Sequence, residues 1–242
     1  VAGAIALLAF VWIRGGDRRL GGSWRSAKAL VLYAVAFSLA YVGLPAGTGA
    51  LLLFGAVQAT MITTGLVRGE RLSWLQSLGL LCAYAGLVAL VLPGVSSPPL
   101  PSAVLMVLAG AAWGWYSLRG KGSGDPIAAT AGNFVRAVPI TLAACLWWST
   151  GNHTAFDRVG VVYAVASGAI TSGMGYAIWY TALRGLRATD AATVQLSVPV
   201  IAALGGVALL AEPLTLRLVG SAVAILGGVA VVVFAPARQV VE

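Results

Sequence analysis

Apolar residues in this chain come in blocks, not in alternation. From Leu30 onward there are eight long apolar stretches, roughly 30–44, 47–67, 75–93, 103–118, 126–148, 159–183, 188–210 and 216–235. Short groups of Gly, Pro, Ser and charged residues part them, as in GVSSPPLPS at 94–102. Continuous apolar runs of about 20 residues match a helix crossing a hydrocarbon layer of about 30 Å, whereas barrel strands would alternate at every second residue over about ten. The pattern therefore predicts an all-α chain of membrane-spanning helices. The opening stretch, Val1 to Ile13, is too short to cross alone and reads as the latter part of a further helix.

The blocks also repeat. Gly69 to Gly94, GERLSWLQSLGLLCAYAGLVALVLPG, is echoed by Ala211 to Pro236, AEPLTLRLVGSAVAILGGVAVVVFAP. Glu70 and Glu212 match at an offset of 142, and each stands two residues before Leu-Ser or Leu-Thr. Gly79 and Gly86 match Gly220 and Gly227 at an offset of 141. Such a duplication divides the chain into a first repeat at 1–93, which lacks its first helix, a linker at 94–102, and a second repeat at 103–236.

Composition agrees: 60% hydrophobic, 9% charged and a mean hydropathy of +0.93 leave too little polar surface to cover a water-soluble domain of 242 residues. Charge adds direction. Arg14, Arg18, Arg19, Arg25, Lys28, Arg68, Arg71, Arg119, Lys121, Arg184, Arg187 and Arg238 fall in one set of alternate loops, and only Arg158 and Arg217 in the other. Positive charge is retained on the cytoplasmic side, so this bias puts the C-terminus there. It also makes the net charge of +8 a topology signal and argues against a nucleic-acid partner. Glu70 lies in the basic set of loops and Glu212 in the other, so the two copies face opposite sides of the membrane. Inverted repeats of this kind build secondary transporters, which alternate between two states around a central site.

The run GYAIWYTALRGLRATDAATVQLSVPVIAALGGVALLAEPLTLRLVGSAVAILGGVAVV, Gly175 to Val232, resembles the second half of an EamA-type permease of the drug/metabolite transporter superfamily. LPAGTGALLLFGAVQATMITTGLVRGERLSWLQSLG resembles its first-half partner. The resemblance implies ten helices in two inverted five-helix repeats, both termini cytoplasmic, a central cavity, and movement of amino acids or other small metabolites, mostly outward. Here a partial helix and eight spanning helices stand for the ten, in a multi-pass protein of the bacterial cytoplasmic membrane.

Arg136 is the one charge deep within a predicted span, in PIAATAGNFVRAVPITLAACLWW, near mid-depth, whereas Asp190 and Arg217 stand at span ends. A charge there costs at least about 2.5 to 3.5 kcal/mol and marks a functional position by default. All seven acidic residues fall in or beside loops, so none pairs with it within the predicted helices. One reading places Arg136 in a water-filled cavity, binding an anionic group of an anionic or zwitterionic substrate as a charge-assisted pair, with Asn133 on the same face. The plainer reading satisfies it with backbone carbonyls freed near Pro139, or with a carboxylate in a preceding helix.

Tyr176 and Trp179, and Trp113 and Tyr116, form pairs at helical spacing, suited equally to a cavity wall or to packing. Trp115 and Tyr180 read as belt or packing residues. Gln58 and Gln195, amides in apolar helices, must bond a neighbouring helix or line the cavity. Pro199 would kink its helix, as a gate or as a static bend. Glu70 and Glu212 read as structural carboxylates beside positive helix starts. Gly220, Ala224 and Gly228, echoed by Gly79 and Ala83, form a small-residue stripe for close helix approach.

Cys82 and Cys145 lie in different halves, and His153 is the only histidine, so no disulfide, metal site or catalytic cluster is expected. The absence of a phosphate-binding Gly-rich loop with its lysine argues against ATP or another cofactor. The expected function is thus a secondary transporter and no enzyme, its partners a small-molecule substrate and the lipid bilayer. The alternative is a membrane interaction protein that transports nothing. Oligomeric state stays open, and a monomer would suffice.

Overall fold

Where described, the apolar blocks are largely helix in the computed structural model, which describes residues 1–15, 20–67, 72–92, 97–120, 125–149, 157–176, 178–179 and 188–235. The helices are α1 (Ala2–Arg14), α2 (Trp24–Ala40), α3 (Ala46–Val67), α4 (Trp74–Val91), α5 (Leu100–Gly120), α6 (Pro126–Ser149), α7 (Arg158–Ala166), a π-helical stretch π1 (Ser167–Met174), α8 (Ala188–Leu210) and α9 (Leu216–Phe234). No strand occurs among the described residues. Four helical segments, Ala46–Val67, Leu100–Arg119, Pro126–Leu146 and Leu216–Phe234, are long and apolar enough to cross a membrane by themselves. With the shorter apolar helices beside them, they make this a polytopic membrane protein.

Helix starts sit where side chains can replace missing backbone acceptors. Ser73 and Gln76 form a reciprocal capping box on α4, with Gln76 N donating to Ser73 Oγ at 3.3 Å and Ser73 N donating to Gln76 Oε1 at 2.9 Å. Thr215 caps α9 by accepting from Leu218 N at 3.1 Å. Asp125 accepts from Ile127 N and Ala128 N at the start of α6, and its other oxygen pairs with Arg14 at 3.2 Å. The hydrophobic pattern places the second helix at 30–44, but it starts at Trp24, because Ser23 Oγ accepts from Ser26 N and opens a helical turn ahead of the apolar run. Ser73→Ala is expected to lower stability by about 1 kcal/mol, read as a shift in the unfolding midpoint in detergent.

The chain divides into two compact units, each drawing on both halves of the sequence. The first comprises Val1–Val31 and Tyr116–Leu186. In it α1 approaches π1 through small residues: a methyl on Gly3 would lie 2.7 Å from the Gly168 carbonyl oxygen, and one on Gly173 would lie 2.7 Å from Ala6 Cβ. Thr171 Oγ1 donates to Ser167 O at 2.6 Å inside π1, a side chain entering the ladder that an α-helix would keep for its own amides.

The second unit comprises Leu32–Trp115 and Arg187–Glu242. Its core joins Ala36 and Ala40 of α2, Leu51 to Leu53 of α3, Leu90 of α4, Met106 and Ala109 of α5 and Ile225 of α9. Here α4 and α9 run antiparallel in close contact. A methyl on Gly79 would meet the Gly228 carbonyl oxygen at 2.7 Å, and one on Gly86 would meet Ala224 Cβ at 2.9 Å. Gly228, Ala83 and Ala224 thus serve the close approach expected of the small-residue stripe. Gly220 does not: it faces open space, as does Gly227, because the contact face passes through Ala224 and Gly228. At the ends, Gln76 Nε2 donates to Val232 O at 3.1 Å and to Ala235 O at 3.3 Å, while Arg217 Nη1 donates to Leu92 O.

Candidate functional site

In the first unit a non-helical segment, Leu20 to Ser23, packs along α6. Gly22 has φ +82°, and a methyl there would lie 2.6 Å from Ala129 O and 2.9 Å from Asn133 Cγ. Only glycine meets both demands. Gly22→Ala is expected to cost about 2 kcal/mol or more, summing the left-handed backbone and the clash, and to appear as a lowered unfolding midpoint.

Asn133 is 5% exposed and holds this segment: its Oδ1 accepts from Ser23 N at 2.8 Å. Its Nδ2 donates to the Tyr116 hydroxyl at 3.4 Å, which donates to Thr130 Oγ1 at 3.4 Å. Asn133, Tyr116 and Thr130 are all buried, so the cluster exchanges hydrogen bonds that lipid could not supply.

Arg136 belongs to the same face. Its Nη1 donates to Gly132 O at 2.9 Å and to Gly21 O at 2.7 Å. Helical side chains lean toward the helix N-terminus, so the guanidinium lies about a turn nearer Asp125 than its own Cα. It therefore reaches carbonyls of the α1–α2 connection and of its own helix, not those near Pro139. Among the described residues, Nε and Nη2 have no hydrogen-bond partner. Phe134, on α6, packs edge-on against Tyr176 with centroids 5.6 Å apart, and Trp179 is half-buried.

In the second unit Trp113 packs against Tyr33 with ring centroids 4.9 Å apart and planes tilted by 43°, and Tyr33, Phe37 and Tyr41 continue as a contacting column with spacings of 5.4 and 4.7 Å. These three stand at i, i+4 and i+8 on one face, a spacing visible in the sequence. Tyr41 closes the column by donating to Ala46 O at 3.3 Å.

Gln58 is 8% exposed and, with Phe54, Pro199 and Ile225, lines a void of about 10 Å³; among the described residues its amide has no partner. The Gln195 side chain, Tyr180 and Glu70 lie outside the described residues. Pro199 sits inside α8 and also lines a larger apolar cavity of about 480 Å³ between α3, α8 and α9. Glu212 lies beside that cavity. Its Oε1 accepts from Ala46 N at 2.6 Å and its Oε2 from Gly47 N at 3.4 Å, so the positive helix start it complements is that of α3, while Thr215 caps α9.

Comparison with known proteins then places the chain. The sequence profile of the EamA-like transporter family matches residues 100–234. The chain belongs to the EamA-like transporter family. Relatives of this EamA-like chain include an uncharacterized protein of Pseudomonas aeruginosa, 56% identical over 211 residues, covering 87% of this chain and 73% of the relative. An uncharacterized transporter of Archaeoglobus fulgidus is 27% identical over 207 residues, covering 84% and 73%. A solved crystal structure of a protein aligns with a TM-score of 0.64 at 18% identity, over 96% of this chain and 84% of that one, a likeness of fold alone. EamA-like membership makes this a multi-pass membrane protein of a small-molecule transporter family.

Proposed function

We propose that this EamA-like protein is a secondary transporter that exports small organic metabolites such as amino acids, by alternating access between two inverted repeats. The C-terminus lies in the cytoplasm of a bacterial cell, and 1–93 and 103–236 are the repeats. One observation carries the reading. Gln76 and Arg217 stand 141 residues apart, the offset of the repeated glycines, and each donates to carbonyls at the far end of the other's helix. Equivalent residues exchanging equivalent bonds across an antiparallel helix pair are what an internal two-fold axis in the membrane plane would generate.

The solute's anionic group meets the Nε and Nη2 edge of Arg136, whose Nη1 is fixed by two carbonyls, so the fork is held in place before binding. Asn133, bonded to Tyr116, holds the Leu20–Ser23 segment whose Gly21 carbonyl fixes that fork, and Tyr176 and Trp179 complete the site within the same unit. Within the second unit, taken by itself, Gln58, Gln195 and Trp113 are the polar and aromatic residues proposed to contact solute. Pro199 supplies the bend about which α8 moves. Counterflow into proteoliposomes preloaded with a panel of amino acids and related acids tests the proposal. Accelerated uptake of at least one labelled member is expected, and uptake equal to that of protein-free liposomes across the panel would refute it.

A further inference from the structure

We infer that Glu212 is a latch, its carboxylate clasping the α8–α9 turn to the start of α3 and so closing one end of the apolar cavity between α3, α8 and α9. Three observations converge on it. The carboxylate spans two backbone amides of another segment, Ala46 and Gly47, although α9 already has its own cap in Thr215 and has no need of Glu212. It has a shaped seat: a methyl on Gly206 would stand 2.9 Å from the carboxyl carbon, so the hollow left by that glycine is what admits it. And the turn is drawn into place against its preference, since Ala211 adopts φ +54°, a left-handed conformation that a non-glycine residue keeps only where its surroundings impose it. Glu212 N donates to Gly206 O at 3.1 Å and completes the tight return.

The latch touches the cavity directly. Gly47, whose amide it holds, and Leu214, two residues beyond it, are both part of the cavity wall, and Ala203 of α8 lies against Gly47. Withdrawing the carboxylate would leave the first amides of α3 without their acceptor and free the turn to relax at Ala211. The wall between Gly47 and Leu214 would then part. Because Thr215 caps α9 independently, the turn can swing without unravelling the helix that follows. This inference concerns access to the cavity and does not require that the chain transport anything.

The test places a single cysteine at Leu51, a cavity-wall residue 2% exposed, in a protein whose Cys82 and Cys145 are replaced by alanine, reconstituted in nanodiscs. Reaction with a sulfonate-bearing methanethiosulfonate, which enters only from water, is timed without substrate. Labelling at least ten-fold faster is expected for Glu212→Ala and also for Gly206→Ala, which keeps the carboxylate but fills its seat. Gly205→Ala, whose methyl would meet open space, is expected to leave the rate unchanged. Combining Gly206→Ala with Glu212→Ala should add nothing further, as both remove one contact. An unfolding midpoint measured on each variant separates opening of the cavity from loss of fold. Unchanged labelling in folded Glu212→Ala, or equal rates for Gly205→Ala and Gly206→Ala, would overturn the latch while leaving the counterflow result untouched.

Discussion

Replacing Gly228 with leucine is expected to remove most folded protein from the membrane, whereas the same change at the adjacent Gly227 should be nearly silent. A side chain at 228 would be driven into α4, where Ala83 N stands 2.7 Å from the first carbon it would add. These are backbone atoms of a packed helix, not the mobile tip of a side chain, so α4 and α9 must separate. In lipid no hydrophobic force pulls them back, since acyl chains solvate leucine as well as another helix does. Separation would also break the bonds from Gln76 to Val232 and from Arg217 to Leu92. The loss should reach about 3 kcal/mol or more, at the upper end for overpacking. At Gly227 the first added carbon meets nothing within 4 Å and the rest of the side chain enters the apolar cavity of about 480 Å³ that this glycine lines, so no helix need move and the loss should stay below about 1 kcal/mol. Fluorescence-detected size exclusion of the two variants, with unfolding midpoints for what remains folded, reads the contrast. Equal losses would mean that the helix contact does not depend on close approach at Gly228.

Arg136→Gln is expected to reduce counterflow of an acidic or zwitterionic solute at least ten-fold at matched protein level. The glutamine amide can still donate to one of the carbonyls of Gly132 or Gly21, so the packing of the Leu20 to Ser23 segment should largely persist. It cannot offer the two parallel charged donors that match a carboxylate. Arg136→Lys restores the charge as a single point and should recover only part of the rate, with the loss appearing in the apparent affinity for the solute. Undiminished counterflow in Arg136→Gln would assign the guanidinium to holding the α1–α2 connection alone.

Much of the helical framework was legible because bilayer thickness dictates the length of an apolar block, and α3, α6 and α9 fall within a few residues of the blocks that announce them. The contact of Gly79 and Ala83 with Gly228 could also be anticipated, since small residues at helical spacing have few other uses in lipid. Partners far apart in sequence were not legible when one of them was backbone. Gly21 O and Ala46 N carry no signature by which Arg136 or Glu212 could be matched to them. The reach of Arg136 toward Gly132 follows from the lean of helical side chains, but the folding of Leu20 to Ser23 onto α6 does not follow from any local preference. Ser23, the residue that starts α2 early, was hidden because the apolar pattern begins only at Leu30.

The π-helical stretch from Ser167 to Met174 changes what a helical wheel can say about the residues beyond it. Rings closed five residues apart consume more chain per revolution than rings closed four apart, so the winding slips like a screw thread cut at two pitches. Tyr176 therefore emerges at an azimuth that counting from Arg158 by 3.6 would give to a neighbour, and it is from there that it meets Phe134. One residue gained or lost within this stretch would swing the phenol ring to another compass bearing while the α-helical turns before it kept theirs.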